Sequence, residues 1–380
     1  MLISKSDLKY FVRTFVTTPR LRMWELLNPV RSGELVFTMF MPSLKSKAAA
    51  RVITNNIRRV FAAMGSSISF GPDAVTIAVT NKCPCNCPHC SAYGREGENL
   101  SSKDIKRVID ELLSLGTYNI TFTGGEPLIR DDLPELIEYV DKKKAMALIF
   151  TTGFFSDENL ITELKKKGLF GMFVSLDAGS KDKHDTLRRC KVFDKAIETI
   201  NIAKKVGLLI GISTYGSHEN LRNKELLEII ELSKRLDVHE VVIFDSVPTG
   251  KAIEKEDMML TEDEHEYLIN IHREFAYKLD YPKITTMSLV NNVYYAGCFA
   301  GSGQIHITHS GEVTPCDFTP LTFGNVKDMS IKEIWQKIRG HPAYRLWKPK
   351  CRMQTKEFRE KYINKIPKGS VLPYPIEKLE

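Results

Sequence analysis

The sequence predicts an α/β fold: parallel strands alternating with helices and curled into a barrel or partial barrel, then a small α+β domain, all preceded by a helical extension. Three observations lead there. Between residues 74 and 250, short β-branched apolar runs alternate with amphipathic stretches of helical period. Right-handed crossovers between such strands curl a parallel sheet towards a barrel. Beyond residue 298 two short alternating runs flank Ser310-Gly311, the pattern of a β-hairpin.

Close to seventy residues precede the first strand. They hold eleven Lys or Arg and three acids, a balance of +8, whereas the whole chain is +7, so the remaining 310 residues sum to −1. Leu8, Phe11, Val12 and Phe15 recur at i, i+3, i+4 and i+7, with Lys5, Lys9 and Arg13 elsewhere on the turn. Ile53, Ile57, Val60, Phe61 and Met64 repeat the pattern beside Arg51, Arg58 and Arg59. Between them the apolar run 35–41 is too short to span a bilayer. Two readings of residues 1–65 stand open. The helices lie in a membrane interface, where each basic residue near an anionic surface contributes on the order of 1 kcal/mol. Alternatively their apolar faces pack on the barrel and the charges are solvated. No nucleic-acid recognition fold is visible, and no nucleic-acid partner is expected.

Strands follow near 74–80, 118–123, 146–151, 170–176, 208–214 and 239–244, with helices near 102–115, 132–143, 157–167, 192–206 and 223–236. In a parallel barrel the ligand-binding residues gather at the carboxyl ends of the strands. The first such loop reads Thr80-Asn81-Lys82-Cys83-Pro84-Cys85-Asn86-Cys87-Pro88-His89-Cys90, which sets Cys83, Cys87 and Cys90 at C-x3-C-x2-C spacing. Three thiolates on one short loop can hold three irons of a [4Fe–4S] cluster and leave the fourth iron open to a substrate or cosubstrate. Cys85 makes the loop four cysteines long, which leaves a zinc loop open, although zinc sites favour paired C-x2-C knuckles. The second loop carries Gly124-Gly125-Glu126-Pro127. Two glycines let backbone approach a small ligand closely, and the Glu126 carboxylate can accept hydrogen bonds from an ammonium group.

These two loops resemble those of the radical S-adenosylmethionine (SAM) enzymes, and the resemblance covers residues 74–250. It implies a partial (β/α)6, TIM-like barrel. It also implies a SAM-binding [4Fe–4S] cluster on Cys83, Cys87 and Cys90, with the segment Gly124, Gly125, Glu126 and Pro127 holding the SAM amino group. Ser175 and Asp177, at the end of the fourth strand, would face the ribose hydroxyls. His184-Asp185-Thr186-Leu187-Arg188 is similar to the family's HDxxR, and its Arg188 would pair with the SAM carboxylate. Asp177 and Arg188 can instead cap and brace the following helix. Ser213, Thr214 and Pro248-Thr249-Gly250-Lys251 end strands five and six and can line the adenine or substrate side. The chemistry implied is reductive cleavage of SAM to methionine and a 5′-deoxyadenosyl radical, which removes hydrogen from an unactivated C–H bond.

The C-terminal part places Cys298, Gly311 and Cys316 at C-x12-G-x4-C, with Cys351 further on. This resembles the auxiliary-cluster domains called SPASM or twitch. The paired C-x2-C steps of a full SPASM domain are missing, so one auxiliary [4Fe–4S] cluster is expected, on Cys298, Cys316 and Cys351. His306, His309 or Asp317 can fill its fourth site, or the site stays open for substrate. The same cysteines around an unmetallated hairpin would be small buried hydrophobes. Cys85 and Cys190 are spare, and Tyr93, Tyr215, Asp245 and Cys190 are candidates for a proton donor only by position.

The expected organisation is a basic helical extension (1–70), the barrel (71–255), a helical connector (256–297), the auxiliary domain (298–355) and a tail (356–380). Eight cysteines grouped as ligands fit a reducing compartment, and the expected location is cytoplasmic or peripheral to a membrane. The expected substrate is a peptide, a tetrapyrrole or another small metabolite. A lipid or membrane-bound substrate is the alternative, and a non-enzymatic metal-stabilised module a distant third. Ferredoxin or flavodoxin is the expected electron donor.

Overall fold

The computed structural model describes residues 36–43, 46–63, 70–140, 145–293 and 295–379. The expected helix at residues 8–15 lies outside them. Six parallel strands form as the periodicity requires: β1 (Ala74–Ala78), β2 (Asn119–Thr123), β3 (Met146–Thr151), β4 (Leu169–Ser175), β5 (Leu209–Gly216) and β6 (Glu240–Asp245). The sheet is wider than six. A short strand β7 (Lys283–Thr286) adds beside β6, and β8 (Gln304–Ile307) of the hairpin pairs in parallel with β1. Its hairpin partner β9 (Val313–Thr314) is antiparallel, and the order is β7-β6-β5-β4-β3-β2-β1-β8-β9. The C-terminal domain is therefore continuous with the barrel sheet.

The helices between the strands start and stop on local chemistry. The helix Ser102–Leu115 begins where the Ser101 side chain accepts from the Asp104 N–H and ends at Gly116, whose φ of 105° lets its N–H reach the Leu112 and Leu113 carbonyls. Its buried stripe, Ile105, Val108, Ile109 and Leu112, faces the sheet. The helix Ile331–Gly340 opens on a capping box of Ser330 and Glu333 and buries Ile331, Ile334, Trp335 and Ile338.

The two faces of the sheet build two cores, because alternate residues of a strand point to opposite sides. Outward-facing Val75, Ile77, Ile120, Phe122, Ile149, Val174, Ile212 and Ile243 pack under the helices. The inward face holds a separate cluster of Met39, Phe173 and Val242, with Phe40, Phe150, Phe244 and Met287 against it. Met39 and Phe40 come from the apolar run of the extension. Phe40 stacks on Phe173 and Phe150 at centroid distances of 5.0 and 6.3 Å. Glu240, fully buried at the start of β6, accepts from the Met39 N–H (2.6 Å) and the Thr38 hydroxyl (2.9 Å), and Asn119 Nδ2 donates to the Phe40 carbonyl (3.0 Å). Residues 36–43 thus plug the amino end of the barrel. The following helix, Lys47–Ala63, folds against the Ser102–Leu115 helix: Arg51 Nη1 donates to the Leu113 carbonyl (2.7 Å), and Asn55 Nδ2 to Asp73 (2.7 Å).

Candidate functional site

The cysteine loop leaves β1 and is clamped by the turn after β2. Gly125 N donates to the Thr80 carbonyl (2.7 Å) and Glu126 N to the Lys82 carbonyl (2.8 Å). A Cβ on Gly124 would stand 2.3 Å from the Thr80 carbonyl oxygen, and one on Gly125 2.2 Å from that of Lys82. The glycines are therefore required by close packing on the cysteine loop itself, a nearer partner than the small ligand anticipated for them. Pro127 begins a single 3-10 turn capped by Glu126. The Glu126 carboxylate is fully buried and accepts from Thr151 Oγ1 (2.6 Å), Leu128 N (3.1 Å), Thr152 N (2.7 Å) and Thr152 Oγ1 (2.6 Å). Burial raises its pKa despite those donors. Glu126 thus ties the second and third strand ends together.

Within the loop Cys83 is exposed, Cys87 buried and Cys90 intermediate. The Cys85 thiol hydrogen-bonds Cys83 and Cys87, holding both thiols below their ordinary pKa, Cys87 at about 7. Burial pushes Cys90 upward. Cys85, spare by spacing, supports its neighbours as thiolates. Cys190 lies beside Cys85. The loop's other wall is Arg188: its carbonyl accepts from Asn86 N (3.1 Å) and from the Cys87 thiol (3.8 Å). Its side chain pairs with Asp177, Nε to Oδ2 at 2.6 Å, and His89 Nε2 lies 3.5 Å from the same oxygen. Burial opposes the charge on Asp177, but Arg188 and His89 hold its pKa below the usual carboxylate range. The structure therefore brings Asp177 and Arg188 together as a brace under the cysteine loop. Ser175 lies apart from that brace, with its hydroxyl 3.3 Å from that of Ser213.

His89 escaped the sequence reading. Its ring packs on Tyr215 at 4.3 Å between centroids, and its buried Nδ1 has no hydrogen-bond partner. An orphaned nitrogen beside three thiols at the carboxyl ends of the strands is a vacancy that a polar cosubstrate can satisfy. Soft thiol donors on one loop suit an iron–sulfur cluster. Among the described residues no three His, Cys, Asp or Glu side chains are arranged around a single ion. Thiols that ligate separate irons of one cluster stand further apart than the ligands of one ion.

The second set also assembles. Cys298 and Cys316 are buried and Cys351 half-buried. A hydrogen bond from the Cys351 thiol, with Arg352 beside it, drives the Cys298 pKa well down, whereas burial carries Cys316 up to about 12. The Cys316 thiol also meets Thr319 Oγ1 at 3.2 Å. Arg352 is buried and lies 5.2 Å over the Tyr344 ring, and its Nη1 has no partner. Two buried thiols, a half-buried third and an unpaired buried guanidinium nitrogen fit an anionic cluster. The fourth-ligand candidates are engaged elsewhere. His306 Nδ1 meets Thr76 Oγ1 (2.8 Å) and Asp317 Oδ1 (3.1 Å), its Nε2 meets Arg95 Nη1 (2.5 Å), and His309 Nε2 faces the Gly97 carbonyl (3.1 Å).

One loop joins the sets. Lys251 N donates to the Cys90 carbonyl (3.0 Å), Gly250 is pressed against the same carbonyl, and Thr249 Oγ1 donates to the Phe318 carbonyl (2.7 Å). Asp245, at the end of β6, accepts from Ser288 (2.6 Å), and burial raises its pKa.

The model of the radical SAM superfamily matches residues 77–232, and that of the iron–sulfur cluster-binding SPASM domain matches 298–362. The chain is 29% identical over 300 residues to the AdoMet-dependent heme synthase of Oleidesulfovibrio alaskensis, covering 70% of this chain and 75% of that one. It is 27% identical over 306 residues to the Fe-coproporphyrin III synthase of Methanosarcina barkeri (71% and 76%). It is 26% identical over 293 residues to the PqqA peptide cyclase of Granulibacter bethesdensis (73% and 76%). Among solved structures, Streptococcus suis SuiB bound to its precursor peptide SuiA has a similar fold, with a TM-score of 0.60, 16% identity and coverage of 75% and 69%. So has anSMEcpe with bound AdoMet and a peptide, at 0.59, 18%, 79% and 93%. The thiol loop, the fold and both domain matches agree: this chain carries a radical SAM domain at residues 77–232 and a SPASM-type iron–sulfur domain at residues 298–362.

Proposed function

We propose that this enzyme oxidises an organic substrate seated at the carboxyl ends of the strands, between the Cys83–Cys87–Cys90 loop and the Cys298–Cys316–Cys351 set. The observation that carries the reading is the loop in which Lys251 N bonds the Cys90 carbonyl and Thr249 Oγ1 bonds the carbonyl of Phe318, two residues after Cys316. When bound, SAM and the reduced cluster supply a 5′-deoxyadenosyl radical that removes hydrogen from the substrate. The chain's own residues hold the site. Cys85 and Arg188 favour the ionised form of Cys87 and fix its place, Glu126 fastens the strand ends, and His89 offers a free ring nitrogen to the cosubstrate. Cys298, Cys316 and Cys351 would hold an auxiliary cluster, which would supply an electron acceptor or a substrate ligand there. Gly124, Gly125, Glu126, Pro127, Ser175, Asp177 and Arg188 would back the side of the site that takes SAM.

The substrate class supported best is a tetrapyrrole, a peptide or another small metabolite, because the similar sequences are named for haem synthesis and peptide cyclisation. In the test, anaerobically reconstituted protein is given dithionite, SAM and in turn iron coproporphyrin or candidate peptides, and deoxyadenosine is followed by mass spectrometry. The expected outcome is formation that rises with a substrate of one class and is lost in Cys83→Ala. A C83A variant that cleaves SAM at the wild-type rate overturns the assignment.

One observation favours a second reading, a lipid substrate reached from a membrane surface. The helix Lys47–Ala63 turns Ile53 and Ile57 to solvent, 63% and 49% exposed, while Arg51 folds inward. The double variant I53S/I57S should float less with anionic liposomes at low salt than the wild type. Equal flotation, or none by either, removes this reading.

A further inference from the structure

Arg95 lies five residues after Cys90, and neither cysteine motif contains it. Three pieces of chain hold it in place. Its backbone bridges to Leu372 of the C-terminal tail, its Nη1 meets His306 Nε2 at 2.5 Å, and its Nη2 donates to the Asp317 carbonyl at 3.2 Å. His306 stands on β8 directly opposite Thr76 of β1, the strand that leads into the cysteine loop. Asp317 is the residue after Cys316.

The hydrogen-bond roles in this chain are fixed. A guanidinium only donates, so His306 Nε2 accepts and the imidazole proton sits on Nδ1, between Thr76 Oγ1 (2.8 Å) and the Asp317 carboxylate (3.1 Å). The order is then a cation, a neutral ring and an anion, spanning from the first loop to the second thiol set. Arg95 follows Cys90 on the first loop and its guanidinium donates to the carbonyl of the residue after Cys316, so its charge is felt at both thiol sets. A cation at that place has a consequence for both cofactor sites. Each one-electron reduction of a cluster adds a unit of negative charge, and a nearby buried cation favours the reduced form.

We infer that Arg95, held by His306 and Asp317, is a positioning residue shared by the two cluster sites, and that its fixed charge raises the reduction potentials of both together. Because Arg95 follows Cys90 on the first loop and donates to the carbonyl of Asp317, the residue after Cys316, its removal moves the two potentials in the same direction. The difference between them, which drives an electron from one to the other, changes less than either alone.

The test is a redox titration of the reconstituted full chain, with each cluster followed by electron paramagnetic resonance. Iron and sulfide analysis of the wild type counts the clusters first and so reports on the cofactor assignment independently of the potentials. Arg95→Gln should shift both midpoint potentials to more negative values at wild-type iron content, and Arg95→Lys should leave them close to wild type. Asp317→Asn removes the neighbouring negative charge and should shift the auxiliary potential the opposite way. Unchanged potentials in R95Q overturn the inference. If R95Q does not accumulate as folded protein, D317N decides: no shift, or a negative one, overturns it equally.

Discussion

At the scale of single residues, the support beneath the cysteine loop is a run of buried titratable groups whose states depend on one another. His184 is fully buried and its Nδ1 accepts from the Asp177 N–H at 3.0 Å, so the ring is held neutral. Burial, reinforced by Arg188, lowers its pKa to about 4. The sign follows by linkage. Between about pH 6.5 and 4 the unfolded chain protonates this imidazole and the folded chain does not, so the unfolded state binds more protons and stability falls as pH falls. The loss should approach roughly 3 kcal/mol, from about 1.36 kcal/mol per pH unit over that window. Asp177, whose pKa is also depressed, extends the loss to lower pH. Urea unfolding of the apo-protein at pH 7 and pH 4.5 measures the effect, and His184→Asn should flatten the slope in that window. The brace itself is worth more. Arg188→Met strands a buried Asp177, and breaking a buried pair from one side costs about 3–5 kcal/mol. A variant within about 1 kcal/mol of wild type in urea would show that water reaches Asp177. None of this was legible in the sequence beyond the two residue names. Asp177 and Arg188 read first as SAM contacts, with a brace as the alternative, and His89 sits inside a motif whose spacing draws attention only to its cysteines.

At the scale of elements, period and turn chemistry located the six core strands and the hairpin to within a residue or two, because each strand is buried on both faces and bounded by capped helices. The sequence did not disclose the strands that flank those six on either edge. Strand β7, Lys-Ile-Thr-Thr, is four residues long and lies within a stretch read as a helical connector. The pairing of β8 with β1 joins residues more than two hundred positions apart, and no local pattern encodes that choice. The glycine pair after β2 is a similar case: its presence was legible but its partner was not. A methyl group on Gly125 would overlap the Lys82 carbonyl, which is backbone and cannot turn aside. Gly125→Ala should therefore force the cysteine loop away from the turn at a cost of about 1–3 kcal/mol. The expected phenotype is a folded protein whose iron content falls towards that of the auxiliary site alone and which no longer cleaves SAM. Wild-type iron content in G125A would mean that the loop can move without losing its thiol geometry.

At the scale of the whole molecule, the extension and the barrel are one structure at residues 36–63, whatever surface the extension also meets. A barrel that generates a radical at its carboxyl end has a second mouth, and here Met39 and Phe40 fill it while Glu240 binds the backbone that carries them. The run at 35–41 read from sequence as an apolar stretch too short for a bilayer; its length instead suits the width of a barrel interior. Truncation to a chain starting near Gly71 removes a fully buried methionine and the stacked Phe40 ring, each worth roughly 2–5 kcal/mol when deleted from a packed core. It also leaves Glu240 with Thr285 but without the Met39 N–H and the Thr38 hydroxyl. The truncated protein should melt well below the full chain in the absence of any membrane. Its deoxyadenosine yield should also exceed its product yield, because the open mouth admits reductant that quenches the substrate radical before product forms. Met39→Ala alone should lower stability by a few kcal/mol while leaving the helix Lys47–Ala63 and its exposed isoleucines in place, which separates the plug from surface binding. If M39A and the truncation both melt with the full-length chain, the plug contributes nothing to stability, and the extension's part must be sought at a surface outside the barrel.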